Sequence, residues 1–288
     1  KIFAYTYLVF LYAPALLLPI FSFNKSQIIA FPLTGFSLQW FETLLYQDTL
    51  HEALKNSLIV AISSCTLATI LGTLASRSAT RYDFKGKQIS LTFILAPLIL
   101  PEIIVGVSLL IVLIQLGLSL NIWSVILGHT LLIMPFSIII MNSAFNNLDV
   151  SLEEASMDLG ENRFGTFYRV ILPLVFPGII ASLLIGFTLS LDEFIIAFFL
   201  TGTDTTLPVY IWSQFRFPKK LPTTMALGTI LIRFTCTKSD PVAVTGWHMV
   251  LGSLPLIIKH CLKSNFTIIP DWSIFDWGLM SFASIFGG

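Results

Sequence analysis

Charge is what this sequence is short of. Only 11% of its 288 residues are Asp, Glu, Lys or Arg, against roughly a quarter in soluble domains, while hydrophobic residues make up 55%. That balance excludes an ordinary water-soluble domain and leaves an integral membrane protein. The charges that are present cancel, 16 basic against 16 acidic, so no basic surplus points to nucleic acid. Cysteine is scarce as well. Cys65, Cys236 and Cys261 have neither C-x-x-C nor metal-ligand spacing, and each reads as a small buried or lipid-facing thiol. The phosphate-binding pattern G-x-x-x-x-G-K-[ST] is missing, so any phosphate chemistry belongs to a partner. No catalytic residue, metal ligand or cofactor site is assigned. No stretch alternates apolar and polar residues with period two. Since only helices and closed barrels satisfy the backbone in lipid, the fold class is all-α, a polytopic membrane protein.

A helix needs roughly 20 apolar residues to cross a bilayer, and five stretches qualify: 3–23, 56–76, 91–116, 122–141 and 176–200. The chain begins at Lys1, and its first apolar run has no small-residue cleavage site, so that run reads as an anchoring span lacking its true start. Arg77, Arg81, Lys85 and Lys87 form the densest basic cluster, which places the connection after the second span in the cytoplasm. The N-terminus and residues 142–175 then fall on that same side. In the outer connection, 24–55, Trp40, Phe41 and Leu44 share one face of an expected interfacial helix, which serves either headgroup anchoring or recognition of a binding protein. His51 reads as an exposed polar residue, and His129 as a hydrogen bonder between helices.

Pro97 and Pro101 interrupt the hydrogen-bond ladder of the third span, and Glu102 follows at the expected kink. Asp192 and Glu193 lie toward the outer end of 176–200. At a helix centre each acid costs about 2.5–3.5 kcal/mol, while each Leu, Ile, Phe or Val returns only about 0.3–0.6. The pair therefore nearly cancels the insertion energy of its own segment. Such groups face the bundle interior or water. Glu102, Asp192 and Glu193 are accordingly candidates for a cation pathway or, alternatively, for hydrogen bonding within the bundle.

Between the fourth and fifth spans lies a polar island. Ser151 and Glu154 have capping-box spacing, Gly160 suits a left-handed helix stop, and Asn162 can cap a second helix carrying Phe164, Phe167 and Tyr168. Pro173 marks where that helix should change direction. The text Glu154-Ala155-Ser156-Met157-Asp158-Leu159-Gly160, followed by Val170-Ile171-Leu172-Pro173, resembles the E-A-A-x3-G-x9-I-x-L-P signature of ABC-importer permease subunits. Ser156 replaces the second Ala and Val170 the Ile. The stretches Leu98-Ile99-Leu100-Pro101-Glu102-Ile103-Ile104-Val105-Gly106 and Phe187-Thr188-Leu189-Ser190-Leu191-Asp192-Glu193 narrow the resemblance to spermidine/putrescine-type permeases, over residues 1–232.

That resemblance implies an ABC type I bundle in the plasma or inner membrane, with a coupling loop at 142–175. It implies docking to a pair of ABC ATPase subunits through Glu153, Glu154, Ala155, Leu159, Gly160, Leu172 and Pro173. It also implies a second permease subunit, an external substrate-binding protein and polyamine-like cargo.

A sixth span starting near Thr223 stops short at Arg233. From there the text changes: 240–249 and 275–288 resemble pieces of an EamA-like drug/metabolite carrier, with one further span expected at 242–258. Residues 233–288 thus read as a divergent or foreign tail. The rival functions are a self-sufficient secondary carrier and a nonfunctional chimera.

Overall fold

A computed structural model of the chain describes residues 7, 10 and 17–236. Most of the expected first span, the span at 242–258 and the carrier-like stretches lie outside the described residues. In chain order the helices are α1 (Gln39–Leu45), α2 (Asp48–Arg81), α3 (Lys87–Leu98), α4 (Glu102–Gln115), α5 (Ile122–Asn146), α6 (Val150–Asp158), α7 (Arg163–Asp192), α8 (Ile195–Leu200), α9 (Leu207–Gln214) and α10 (Leu221–Cys236). Among the described residues α2, α5 and α7 are each long and apolar enough to cross a membrane, and the bent pair of α3 and α4 makes up to a fourth.

Within residues 47–216 the architecture is set by which side of α2 is buried. Its inward positions are small or weakly polar: Ser57, Ala61, Ser64, Ala68, Gly72 and Ser76. Its large apolar residues, among them Ile62, Leu67, Ile70 and Leu74, are exposed. This inverts the soluble pattern. Lipid accepts the large side chains, and small ones let backbones approach until side-chain hydroxyls bond across helices. Thr69 and Ser182 are joined at 2.9 Å, and Ser76 donates to the Ile138 carbonyl at 3.0 Å. Ser190 collects two partners, Ser64 at 3.1 Å and His129 Nδ1 at 2.7 Å, so the fully buried histidine packs helices together. At Gly72 a Cβ would come within 2.6 Å of the Ser137 Cβ.

The third apolar run is not straight. The axes of α3 and α4 differ by 107°, with the break at residues 99–101, where Pro101 precedes the first residue of α4. Proline has no amide hydrogen to continue the ladder, so the turn costs fewer hydrogen bonds there than elsewhere. The run 176–200 also divides. The helix through it ends at Asp192 and restarts as α8, which packs on α4, bringing Phe199 and Ile196 against Gly106.

The other unit comprises the described parts of 1–46 and 217–288. There α1 packs on α10, and the Trp40 indole is buried, donating to the Asn24 carbonyl at 2.6 Å. Phe41 pairs with Phe23 at 5.1 Å. Helix α10 continues through Arg233, where the sequence suggested the sixth span would stop, to Cys236, the last described residue.

The close approach at Gly72 yields a measurable consequence. Gly72→Ala should cost about 1–3 kcal/mol by forcing α2 and α5 apart. Thermal-shift fluorescence of the detergent-purified full chain should show a lowered midpoint for this variant and none for Leu67→Ala on the lipid-facing side; equal midpoints would refute tight packing there.

Candidate functional site

The polar island folds as two short helical pieces around a tight turn. Helix α6 is capped by Asp149, whose carboxylate accepts the Ser151 amide at 2.9 Å, two residues earlier than the Ser151 and Glu154 pattern suggests. That backbone hydrogen bond holds the Asp149 carboxyl below its usual range. Helix α6 ends in a Schellman arrangement. Gly160, at φ +94°, donates to the Met157 carbonyl at 2.9 Å, and Glu161 reaches back to Ser156 at 3.2 Å. Asn162 then caps α7, its Oδ1 accepting the Gly165 amide at 2.8 Å. Ser156 and Thr166, joined at 3.1 Å, pin the two helices together from inside, and Glu161 pairs with Arg169.

Pro173 does not turn the chain aside. Helix α7 continues through it to Asp192, and a π turn over Phe167–Ile171 immediately precedes it. Widening the helix by one residue absorbs the hydrogen bond that proline cannot make.

One charged group decides how this element attaches to the bundle. Glu153, 7% exposed, faces inward and is gripped by both arginines at the end of α2. Arg77 donates from both terminal nitrogens, at 2.7 and 2.6 Å, and Arg81 Nε donates at 2.7 Å. The Arg77 guanidinium also lies 5.9 Å from the centre of the Phe145 ring on α5. The Arg77 hydrogen bonds and, to a lesser extent, the charges of both arginines hold the Glu153 carboxyl below its ordinary range.

The remaining sequence-assigned docking residues face outward. Glu154, Ala155, Gly160 and Pro173 are exposed, Leu172 is half-buried, and Leu159 is 88% exposed. Phe164 and Tyr168 stack beside them with 6.2 Å between ring centres and are largely exposed too. Sequence reasoning assigned Arg77 and Arg81 only to topology and so missed the clamp; the i, i+4 spacing of the two arginines was its available signal.

The three membrane acids gather at the far end of α7, about 44 Å away along its axis at 1.5 Å per residue. Asp192 is its exposed last residue. Glu193 is buried and accepts the Ile196 amide at 2.8 Å, capping α8. Glu102 starts α4, exposed, and with Asp192 lies within electrostatic reach of Glu193. None of the three forms a salt bridge among the described residues. Next to them is an aromatic cluster that sequence reading did not find. Phe194, Phe198 and Trp212 lie 5.1–5.7 Å apart, and Arg216 sits 4.3 Å over the Trp212 ring.

Residues 68–237 match the family described as binding-protein-dependent transport system inner membrane component. The spermidine/putrescine transport system permease protein PotC of Escherichia coli (strain K12) is 34% identical over 224 residues, covering 77% of this chain and 84% of that protein. The putrescine transport system permease protein PotI of the same strain is 37% identical over 234 residues, covering 77% and 82%. Among solved structures, a chain of a bacterial ABC transporter that imports the acidic polysaccharide alginate superposes with a TM-score of 0.61. It shares 15% identity and covers 90% of this chain and 93% of its own. At that identity the likeness concerns the fold alone.

The clamp carries a pH dependence of defined sign. A depressed carboxylate pKa means the interaction is fully present above the ordinary value of 4.5 and is lost as the pH falls through the lowered value. Hydrogen exchange of the 150–171 segment should be constant from pH 8 to 5 after correction for intrinsic rates, and rise below 4.5. Glu153→Gln, which leaves two half-buried guanidiniums without their carboxylate, should raise exchange between pH 8 and 5 by a local destabilisation of about 1–3 kcal/mol and converge with the parent at low pH, where Glu153 is itself neutral. An unchanged exchange pattern in that variant would dismiss the clamp.

Proposed function

Because the chain belongs to the family of binding-protein-dependent transport system inner membrane components, we propose that it is the membrane subunit of an ATP-driven importer of polyamine-like cations. The observation that carries this reading is the continuity of α7, one helix from Arg163 to Asp192 with the polar docking element at one end and the gathered carboxylates at the other. An ATPase pair docks on Leu159, Gly160 and the exposed face of α6 around Glu154 and Ala155, with Leu172 and Pro173 at the root. Glu153 ties that face to α2, so a push on the loop moves α2 and α7 together.

At the other end Asp192, Glu193 and Glu102 offset the water that an ammonium group gives up in the passage. The names of the two Escherichia coli relatives support a polyamine cargo. A second permease subunit completes the passage, and an external binding protein delivers the cargo. The basic cluster after α2 supports a cytoplasmic docking face and N-terminus. In this reading the permease body comprises 1–232 and the divergent tail 233–288, although the family match runs past that boundary to residue 237.

Two sets of variants test the two ends separately. Gly160→Leu puts a branched side chain on a left-handed backbone and should abolish co-purification of the ATPase while membrane insertion stays normal. Asp192→Asn and Glu193→Gln should leave the complex assembled and cut putrescine uptake at limiting substrate by tenfold or more, on the order of 1.4 kcal/mol. Undiminished uptake in both acid variants would take the carboxylates out of the pathway.

A further inference from the structure

A cavity of about 560 Å³ lies where the end of α2 meets α6 and the start of α7. We propose that it binds the phosphate of an anionic phospholipid, with the acyl side of that lipid along the apolar flank. Its volume falls in the range of small-molecule sites, about 300–1,000 Å³. Its charge is lopsided. Arg77, Arg81 and Arg163 line it against one carboxylate, Glu153, which is already taken by the first two. Arg163 is exposed and has no hydrogen bond or ion pair among the described residues, so the cavity keeps an unspent cation at its wall.

Apart from Tyr82 and Thr166, whose hydroxyl is joined to Ser156, the rest of the lining is apolar: Leu74, Met157, Phe164 and Phe167. Leu74 belongs to the apolar run of a spanning helix and is 56% exposed, one turn before Arg77. Tyr82 closes the same end. An apolar wall that gives way to guanidiniums and an aromatic ring at the end of a span is the layering of a membrane interface, where basic pockets take anionic headgroups. A free phosphate would use the arginines but leave the apolar wall empty. A single acidic side chain from a partner protein would not fill the volume. The proposal rests on the membrane and docking reading above only in placing this end of α2 at the headgroup level.

The test uses the full chain, released from detergent in a native mass spectrometer after addition of phosphatidylglycerol or phosphatidylcholine with the same acyl chains. Phosphatidylglycerol should be retained preferentially. Arg163→Gln should lower its retention about fivefold, the worth of one basic residue near a lipid surface. Phosphatidylcholine retention should not respond to that variant. Equal retention of the two lipids, or no effect of Arg163→Gln, overturns the assignment. It is equally overturned if inorganic phosphate alone gives an Arg163-dependent adduct, making a soluble anion the ligand, or if added ATPase subunit protects Arg163 from modification with no lipid retained. Gly160→Leu separates the two readings, since loss of ATPase co-purification with unchanged lipid retention concerns docking alone.

Discussion

A carboxylate held by two guanidiniums organises this end of the molecule. Glu153 is contributed by a nine-residue helix too short to be stable alone, and Arg77 and Arg81 by the last two turns of a 34-residue helix. Drawing a buried carboxylate and two half-buried guanidiniums out of water is costly unless each finds partners of good geometry. Here the bidentate contact from Arg77 and the additional contact from Arg81 occupy both oxygens. The short helix consequently takes its position from α2 rather than from its own propensity. With Glu153 turned inward, the opposite face of α6, the Gly160 turn and the Phe164 and Tyr168 pair are left to the outside. One ion cluster thus fixes which residues of this element are left exposed.

The clamp would transmit little if the helices beyond it were broken nearby. Pro173 and Pro177 both lie in α7, close to the docking element, and in many settings either would end a helix. The π turn before Pro173 redistributes the missing hydrogen bond and keeps the axis continuous into the core, where Gly186 admits Ile133 and Cys65 closely enough that a Cβ would meet the Ile133 side chain at 2.8 Å. The actual interruption comes 20 residues later, after Asp192, where Glu193 caps the next helix. A helix end in an apolar setting needs an acceptor for its free amides, and a carboxylate supplies one. Glu193 therefore serves the local backbone through one oxygen, accepting the Ile196 amide.

The turn chemistry of the docking element was legible in the sequence residue by residue. Gly160 adopts the left-handed conformation, and Asn162 caps the following helix, because both depend on atoms only two to five residues away. The α6 cap shows the limit of that reasoning. The spacing pointed to Ser151, whereas the cap is Asp149, two residues earlier, because where the helix starts depends on the direction from which the chain arrives. The bend before Glu102 was legible from Pro97 and Pro101, whereas the break after Asp192 was not, since hydropathy continues through Phe194 to Leu200 without any proline or glycine.

By itself, then, the sequence determined that this is an all-helical membrane chain with a polar two-helix element of a recognisable permease pattern. Low charge, long apolar runs and cap residues act over a helix's own length, so they can be read in order. The tertiary structure alone decided that Glu153 points inward to Arg77 and Arg81, that Glu102 joins Asp192 and Glu193, and that Phe194, Phe198 and Trp212 cluster beside them. Glu153 and its arginines are 72 and 76 residues apart. No local rule of propensity or spacing connects groups so far apart; helix packing through the small-residue face of α2 does.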